Sequence, residues 1–385
     1  MVYAPGYLVV KCFYATDYMP DPLTHYTVIY YLGIVGLAAC LSVISIPSIL
    51  HVARTRHLYD DIGHFRKQHD QGIPRLGGVA IFVSYFIAAL IFTIADKSFP
   101  VGYLLASGII LFTVGLKDDL SGVNSSTKFL IQFVVALILV VLGDIRLTSM
   151  YGVFGIYALP FTFSVALSII VIIMIINAFN LIDGIDGLAG VTGIIANLSF
   201  AALFFYIHQY EFAVVSLILV GSIFGFLRYN ITPAKIFMGD TGSLFIGLIS
   251  VVLAIKLIEL TKTSTPGIPP VAATPALTVA ILIVPVFDTI RIFFIRILNG
   301  ISPFKADRNH IHHRILRLGY SHFQTTLILS AFNLLCIVLA LTLGGLGNFA
   351  LIGIIFAICI LFNWSITFAL RSKERETVAL RNLFV

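Results

Sequence analysis

Charge is scarce in this sequence: Asp, Glu, Lys and Arg supply only 11% of its 385 residues, against about a quarter in ordinary soluble domains. Apolar residues make up 59%. That balance excludes a water-soluble globule, and its hydrophobicity excludes disorder. The strict polar/apolar alternation of an outer-membrane barrel is missing too, and apolar runs of about 20 residues stand in its place. A helix pairs its own backbone groups away from water, so an all-α, polytopic membrane protein is what remains. Cysteine is rare. Cys12, Cys40, Cys336 and Cys359 lie in separate, mostly apolar stretches with no Cys-x-x-Cys spacing, which argues against a zinc ribbon or a disulfide framework. No basic residue precedes Lys11, so a cleavable signal peptide is not expected.

Hydropathy predicts about eleven spans, near 27–50, 76–95, 99–116, 129–143, 160–182, 188–207, 212–227, 243–260, 274–298, 324–343 and 347–370. The organisation expected is an external segment over 1–26, one multispanning domain over 27–370 and a tail over 371–385. Lys and Arg concentrate in cytoplasmic loops. With the amino terminus outside, all of the 24 basic residues except Lys11, Lys97, Arg146, Lys256 and Lys262 fall on inner segments. An odd number of spans then puts the carboxyl terminus in the cytoplasm. The net charge of +6 is mostly this topology signal and argues for no nucleic-acid partner.

The dense polar clusters fall on the same inner side, within 57–75, 117–128, 177–186, 228–243 and 299–317. Asp118 and Asp119 end one span. Adjacent carboxylates on a helix end diverge by about 100° and can serve two different ligands, although a solvated pair marking the end of a span is the plainer account. In Asn177-Ala-Phe-Asn180-Leu-Ile-Asp183-Gly184-Ile-Asp186-Gly187, polar residues recur every third position, which aims four side chains at one small volume. Interhelical hydrogen bonding is the alternative, but two carboxylates and two carboxamides at membrane depth are expensive for that purpose. Phe237-Met-Gly-Asp240-Thr-Gly-Ser243 opens a further span. Asp240 or Ser243 could cap that helix, or its free amides could attract an anion or a metal-phosphate group. His310-Ile-His312-His313, interleaved with Lys305, Arg308 and Arg314, suits a phosphate clamp better than a zinc site, because the other clusters supply oxygen ligands fit for Mg²⁺ or Mn²⁺. Asp288, three residues before Arg291, predicts a structural ion pair.

Asp118-Asp119, the run Asn177 to Leu188, Phe237 to Ser243 and His310 to His313, together with Gly-Ile-Pro-Arg-Leu-Gly-Gly at 72–78, resemble the polyprenyl-phosphate N-acetylhexosamine-1-phosphate transferase family. The motifs occur in the family's order. The resemblance implies a bacterial inner-membrane enzyme, with its active site on the cytoplasmic face, that uses Mg²⁺ to move a sugar phosphate from a UDP-sugar to undecaprenyl phosphate. This would be the first membrane step of a cell-envelope polysaccharide pathway, such as lipopolysaccharide synthesis, and a homodimer is compatible with it. By position, Asp118, Asp119, Asp240, His310, His312 and His313 carry over as catalytic, with Asp119 and Asp240 at the metal. Asp183, Asp186, Asn230 and Phe237 carry over as nucleotide-lining positions. Asn177, Asn180, Lys67 and Arg308 complete the expected substrate contacts. The isoleucine after His310 resembles the N-acetylglucosamine branch more than the muramyl-pentapeptide branch, which has three consecutive histidines. Asp70 stands where that second branch carries a lysine, with Lys67 and His69 as basic substitutes.

The chemistry suits this inventory independently. Joining a lipid phosphate to a nucleotide diphosphate gathers about three negative charges, and phosphoryl transfer is catalysed mainly by positioning and charge neutralisation. A phosphate monoester is already largely ionised near neutral pH, so no strong general base is needed, and Asp118 is expected to orient the lipid phosphate or finally deprotonate it. Two alternatives keep the chemistry and change the donor: another UDP-N-acetylhexosamine, or the muramoyl pentapeptide. An ion-coupled transporter would place its acids near the bilayer midplane within inverted repeats. Here the acids sit at span ends, and no such repeat is visible.

Overall fold

The computed structural model describes residues 25–58, 72–93, 101–262, 269–300 and 309–383. Lys67, His69, Asp70, Lys305 and Arg308 lie outside that set. Thirteen α-helices follow in order: α1 His25–Thr55, α2 Gly77–Phe92, α3 Val101–Ser121, α4 Ser125–Leu137, α5 Phe161–Ile182, α6 Leu188–Tyr206, α7 Tyr210–Asn230, α8 Gly239–Leu260, α9 Thr274–Ile281, α10 Ile283–Leu298, α11 Ile311–Arg317, α12 His322–Thr342 and α13 Asn348–Leu383. The described residues contain no strand, only an isolated bridge between Ser149 and Ala158. The protein is therefore an all-α, multi-pass membrane protein.

Nine helices among the described residues are long and apolar enough to cross a bilayer. The apolar run at 274–298, expected as one span, is instead broken into α9 and α10 with an 80° bend. Pro285 explains the break. It has no N–H to donate to the Ile281 carbonyl, and its ring would clash there. Asn333 of α12 supplies the missing donor, its Nδ2 reaching the Ala280 and Ile281 carbonyls at 3.0 and 3.2 Å. The other departure is α2, which at 16 residues is shorter than an ordinary span.

At the centre lies α8, buried along almost its whole length and packed against α2, α3, α5, α6, α7 and α9. Small residues let these helices meet. A Cβ on Gly78 would fall 2.0 Å from the Gly242 nitrogen, and one on Gly115 would fall 2.7 Å from Thr241 Cα. Glycine is the only residue that permits these backbone contacts. Where α2 begins, Phe237 N–H donates to Pro74 O at 2.9 Å, while Gly77 and Gly78 donate to Phe237 O and Met238 O at 2.9 and 2.8 Å. Two loops far apart in sequence are thereby joined at the amino-terminal end of α8.

Candidate active site

Asp119, at the carboxyl-terminal end of α3, points at that same end of α8. One of its carboxylate oxygens accepts from the Asp240 amide at 2.8 Å, and the other accepts from the Thr241 amide at 3.0 Å and hydroxyl at 2.5 Å. The cap expected from Asp240 or Ser243 is thus provided by another helix, because a carboxylate at an amino terminus meets both free amides and the positive end of the helix dipole. Asp240 is left to face elsewhere. Asn180 of α5 donates to Asp240 Oδ1 at 2.8 Å and to Ser243 Oγ at 3.0 Å. Asp118 accepts from the Val123 amide at 2.7 Å and from the Lys128 ammonium at 2.9 Å. Lys128 also pairs with Asp240, so one cation lies between two carboxylates.

Asp183 follows α5 directly and faces the same group. Burial, then the charges of Asp240 and Asp119, hold its carboxyl well above the usual carboxylate range, although the Gly239 amide donates to it and the Arg75 charge opposes the shift. The histidine helix α11 docks alongside. A Cβ on Gly184 would meet His312 Nε2 at 2.4 Å, so the glycine after Asp183 is what admits this ring. His312 is 1% exposed, and its Nε2 is buried without a hydrogen-bond partner. Burial, and then the neighbouring His313, push its pKa down to about 3. The His310 and His312 rings stack at 5.6 Å, and His313 lies 4.2 Å from His312.

Other expected contacts are placed differently. Asn177 exchanges hydrogen bonds with Gln132 of α4, at 2.6 and 3.2 Å, so its carboxamide joins two helices. Asn230 accepts from Gly187 N–H at 2.9 Å and donates to Ile236 O at 2.8 Å, which locks the loop before α8 onto the start of α6. Asp186 accepts from the Ala234 amide and pairs with His322, each at 3.3 Å. Phe237 is half-buried in the loop joined to Pro74.

Residues 101–258 match the model of Glycosyl transferase family 4. Over 282 residues the chain is 30% identical to the undecaprenyl-phosphate alpha-N-acetylglucosaminyl 1-phosphate transferase of Salmonella typhi, covering 70% of this chain and 72% of that protein. It is 31% identical over 320 residues to the decaprenyl-phosphate N-acetylglucosaminephosphotransferase of Mycobacterium leprae, covering 77% and 80%. The chain belongs to glycosyl transferase family 4. A protein of Escherichia coli (strain K12) bearing the same name as that of Salmonella typhi is 29% identical over 277 residues, 70% of this chain and 72% of its own length.

Family 4 membership makes this protein a transferase, and its acidic cluster fits the divalent metal that the family implies. One oxygen from each of Asp118, Asp119 and Asp240 lies within 4.8 Å of the others, and carboxylate oxygens suit Mg²⁺ or Mn²⁺. The site already gathers a cation, since Asp240 Oδ2 is buried and meets the Lys128 ammonium. Three participants escaped the sequence reading. Lys128 carried a signal: a cation in the first turn of a helix opposes the dipole unless a carboxylate compensates it. Thr241 and Gln132 carried none, because their partners lie far away in sequence. The family 4 transferase also uses Asp288 for more than the expected pair with Arg291, at 3.1 Å.

Proposed function

We propose that this family 4 transferase moves N-acetylglucosamine 1-phosphate from UDP-N-acetylglucosamine to undecaprenyl phosphate, with release of UMP. The observation that carries this reading is the convergence of four sequence motifs on one polar site at helix ends, with aspartates on one flank and the histidine helix on the other. Relatives named for this transfer support it, and the span-end location of the acids speaks against alternating-access transport.

Asp119 and Asp240, with Asp118 beside them, would hold Mg²⁺, which when bound neutralises charge on the phosphates being joined. Asp118, steadied by the Val123 amide, orients the lipid phosphate. Asn180 holds the Asp240 carboxylate in place, and Asp119 secures the start of α8 so that Asp240 is presented at a constant angle. His310, His312 and His313 receive donor phosphate oxygens, while Asp183, Phe237 and Asp186 serve the nucleotide side; Arg308 and Lys67, expected as further substrate contacts, lie outside the described residues. Asn177 and Asn230 act from behind, by fixing α5 to α4 and the 231–236 loop to α6. The same reading has the protein in a bacterial inner membrane with about eleven crossings, the amino terminus outside, and the site and carboxyl terminus in the cytoplasm.

A UDP-sugar can be attacked at the anomeric carbon, releasing UDP, or at the sugar-bearing phosphorus, releasing UMP. A phosphate nucleophile among metal-binding aspartates and oxyanion donors favours in-line attack at phosphorus. Purified protein incubated with UDP-N-acetylglucosamine and undecaprenyl phosphate is therefore expected to yield UMP and an undecaprenyl diphosphate-linked sugar. UDP as the primary nucleotide, without UMP, refutes the reading.

A further inference from the structure

The histidine helix is held by a single carboxylate at its amino-terminal end. Asp288, on α10, is 2% exposed. Its Oδ1 accepts from the Ile311 amide at 3.0 Å and from the Arg291 guanidinium at 3.1 Å, while its Oδ2 lies 2.9 Å from His310 Nδ1. Arg291 in turn donates to the Asn309 carbonyl. One side chain thus engages the peptide on each side of His310, directly or through Arg291, as well as its ring. At the opposite end, Lys373 of α13 donates to the Arg317 and Leu318 carbonyls at 3.1 and 2.8 Å, and Arg314 reaches Asn363 and Thr367. The helix is anchored well enough that the Asp288–His310 contact is not needed merely to keep it in place.

We propose that Asp288 is a positioning residue that sets the tautomer and the ring orientation of His310. A carboxylate can only accept, so the ring nitrogen facing it must carry the hydrogen, and Nε2 is the edge left for substrate. This rests on the transfer reaction proposed above, in which His310 faces phosphate oxygens. Nothing in the local sequence announces the pair, because the two residues are 22 positions apart. They meet because the start of α11 lies against α10, the helix that carries Asp288.

The geometry makes Asp288→Asn an unusually clean test. Two donors, the Ile311 amide and Arg291, already claim the Oδ1 position, so the asparagine carbonyl stays there and the amide NH₂ faces His310. Nδ1 must then accept, and the hydrogen moves to Nε2, while the tie to α11 persists. Turnover is to be measured by UMP release for the wild type, Asp288→Asn, His310→Gln and the double variant. Loss of a carboxylate that orients a site histidine typically costs roughly 10- to 100-fold. The expected result is a fall of that size in kcat for Asp288→Asn and a KM for UDP-N-acetylglucosamine within about twofold; the melting midpoint falls because Arg291 loses its counter-charge, so turnover is compared per folded protein well below that midpoint. The double variant should be no slower than His310→Gln alone, because residues that act through one another are not additive. Wild-type turnover of Asp288→Asn, or penalties that add, overturns the proposal. A second measurement does not depend on the reaction. In ¹⁵N-histidine spectra at pH 8, assigned by difference from His310→Gln, the His310 proton is expected on Nδ1 in the wild type and on Nε2 in Asp288→Asn. The same tautomer in both overturns the proposal even if the wild type releases no UMP, a result that by itself would sink the reaction reading instead.

Discussion

Replacing Gly78 by alanine tests how the site depends on helix packing. The added Cβ would sit 2.0 Å from the Gly242 nitrogen, 2.6 Å from Gly242 Cα and 2.7 Å from the Thr241 carbonyl carbon, whereas ordinary contact begins at 3.4 Å. Relief therefore needs a separation of about 1.4 Å, the difference between 3.4 and 2.0 Å, and the obstacle is backbone that no rotamer change can move. A displacement of that size breaks the 2.8 Å bond from Gly78 N–H to Met238 O and strains its neighbour at Gly77. Overpacking commonly costs about 1–3 kcal/mol, and the hydrogen bond lost adds about 1 kcal/mol, so the expected destabilisation is about 2–4 kcal/mol. Thr241 and Asp240 move with the strained segment, away from the oxygens of Asp119. A misplacement near 1 Å can slow a reaction about 100-fold, and a fall of that order in UMP release is expected. The assay is a melting curve in detergent beside turnover, with Gly33→Ala as control. Gly33 lies inside α1 with nothing within 4 Å of its added Cβ, and alanine there is expected to be neutral or mildly stabilising. If Gly78→Ala melts with the wild type and turns over normally, the close crossing of α2 and α8 is not what positions the aspartates.

Chelation should abolish activity and Mg²⁺ or Mn²⁺ should restore it, while Asp240→Asn should lose more than about 100-fold in turnover, beyond the usual cost of losing a group that only orients a ligand, yet keep its melting profile. Retained turnover removes Asp240 from the metal. Asn333→Ala leaves the Ala280 and Ile281 carbonyls without their donor and should cost about 1–2 kcal/mol, read as a lower melting midpoint; an unchanged midpoint means the break between α9 and α10 is held by other contacts. His312 should make the protein acid-labile. Its pKa lies near 3 in the fold against an ordinary value of 6.5, so between those values the unfolded chain takes up a proton that the folded protein refuses. Stability is then fully present above pH 6.5 and falls as the pH drops through that window. His312→Gln should flatten the decline in melting midpoint between pH 7 and pH 5, and an identical slope in both proteins refutes the burial argument.

Composition alone determined that this chain folds as membrane helices. Apolar runs of about 20 residues leave the backbone no other way to satisfy its hydrogen bonds in a bilayer, and each of the expected spans falls on helix within the described residues. The chemistry-bearing positions were legible for a related reason. Aspartates, asparagines and histidines in so apolar a sequence stand out, and their order along the chain carried the family resemblance. The tertiary structure decided how those positions divide their work. Sequence spacing treated Asn177 and Asn180 as equals, but Gln132 pairs with the first and Asp240 accepts from the second, because α4 and α8 approach different faces of α5. Likewise Asp118 and Asp119 are adjacent, yet one closes its own loop and the other caps α8. Pro285 was visible in the sequence, but a break there is tolerable only once Asn333 arrives from α12 to pair the freed carbonyls. A local pattern specifies which way a side chain leaves its helix; which donor or acceptor meets it depends on residues dozens of positions away, and packing alone brings them together.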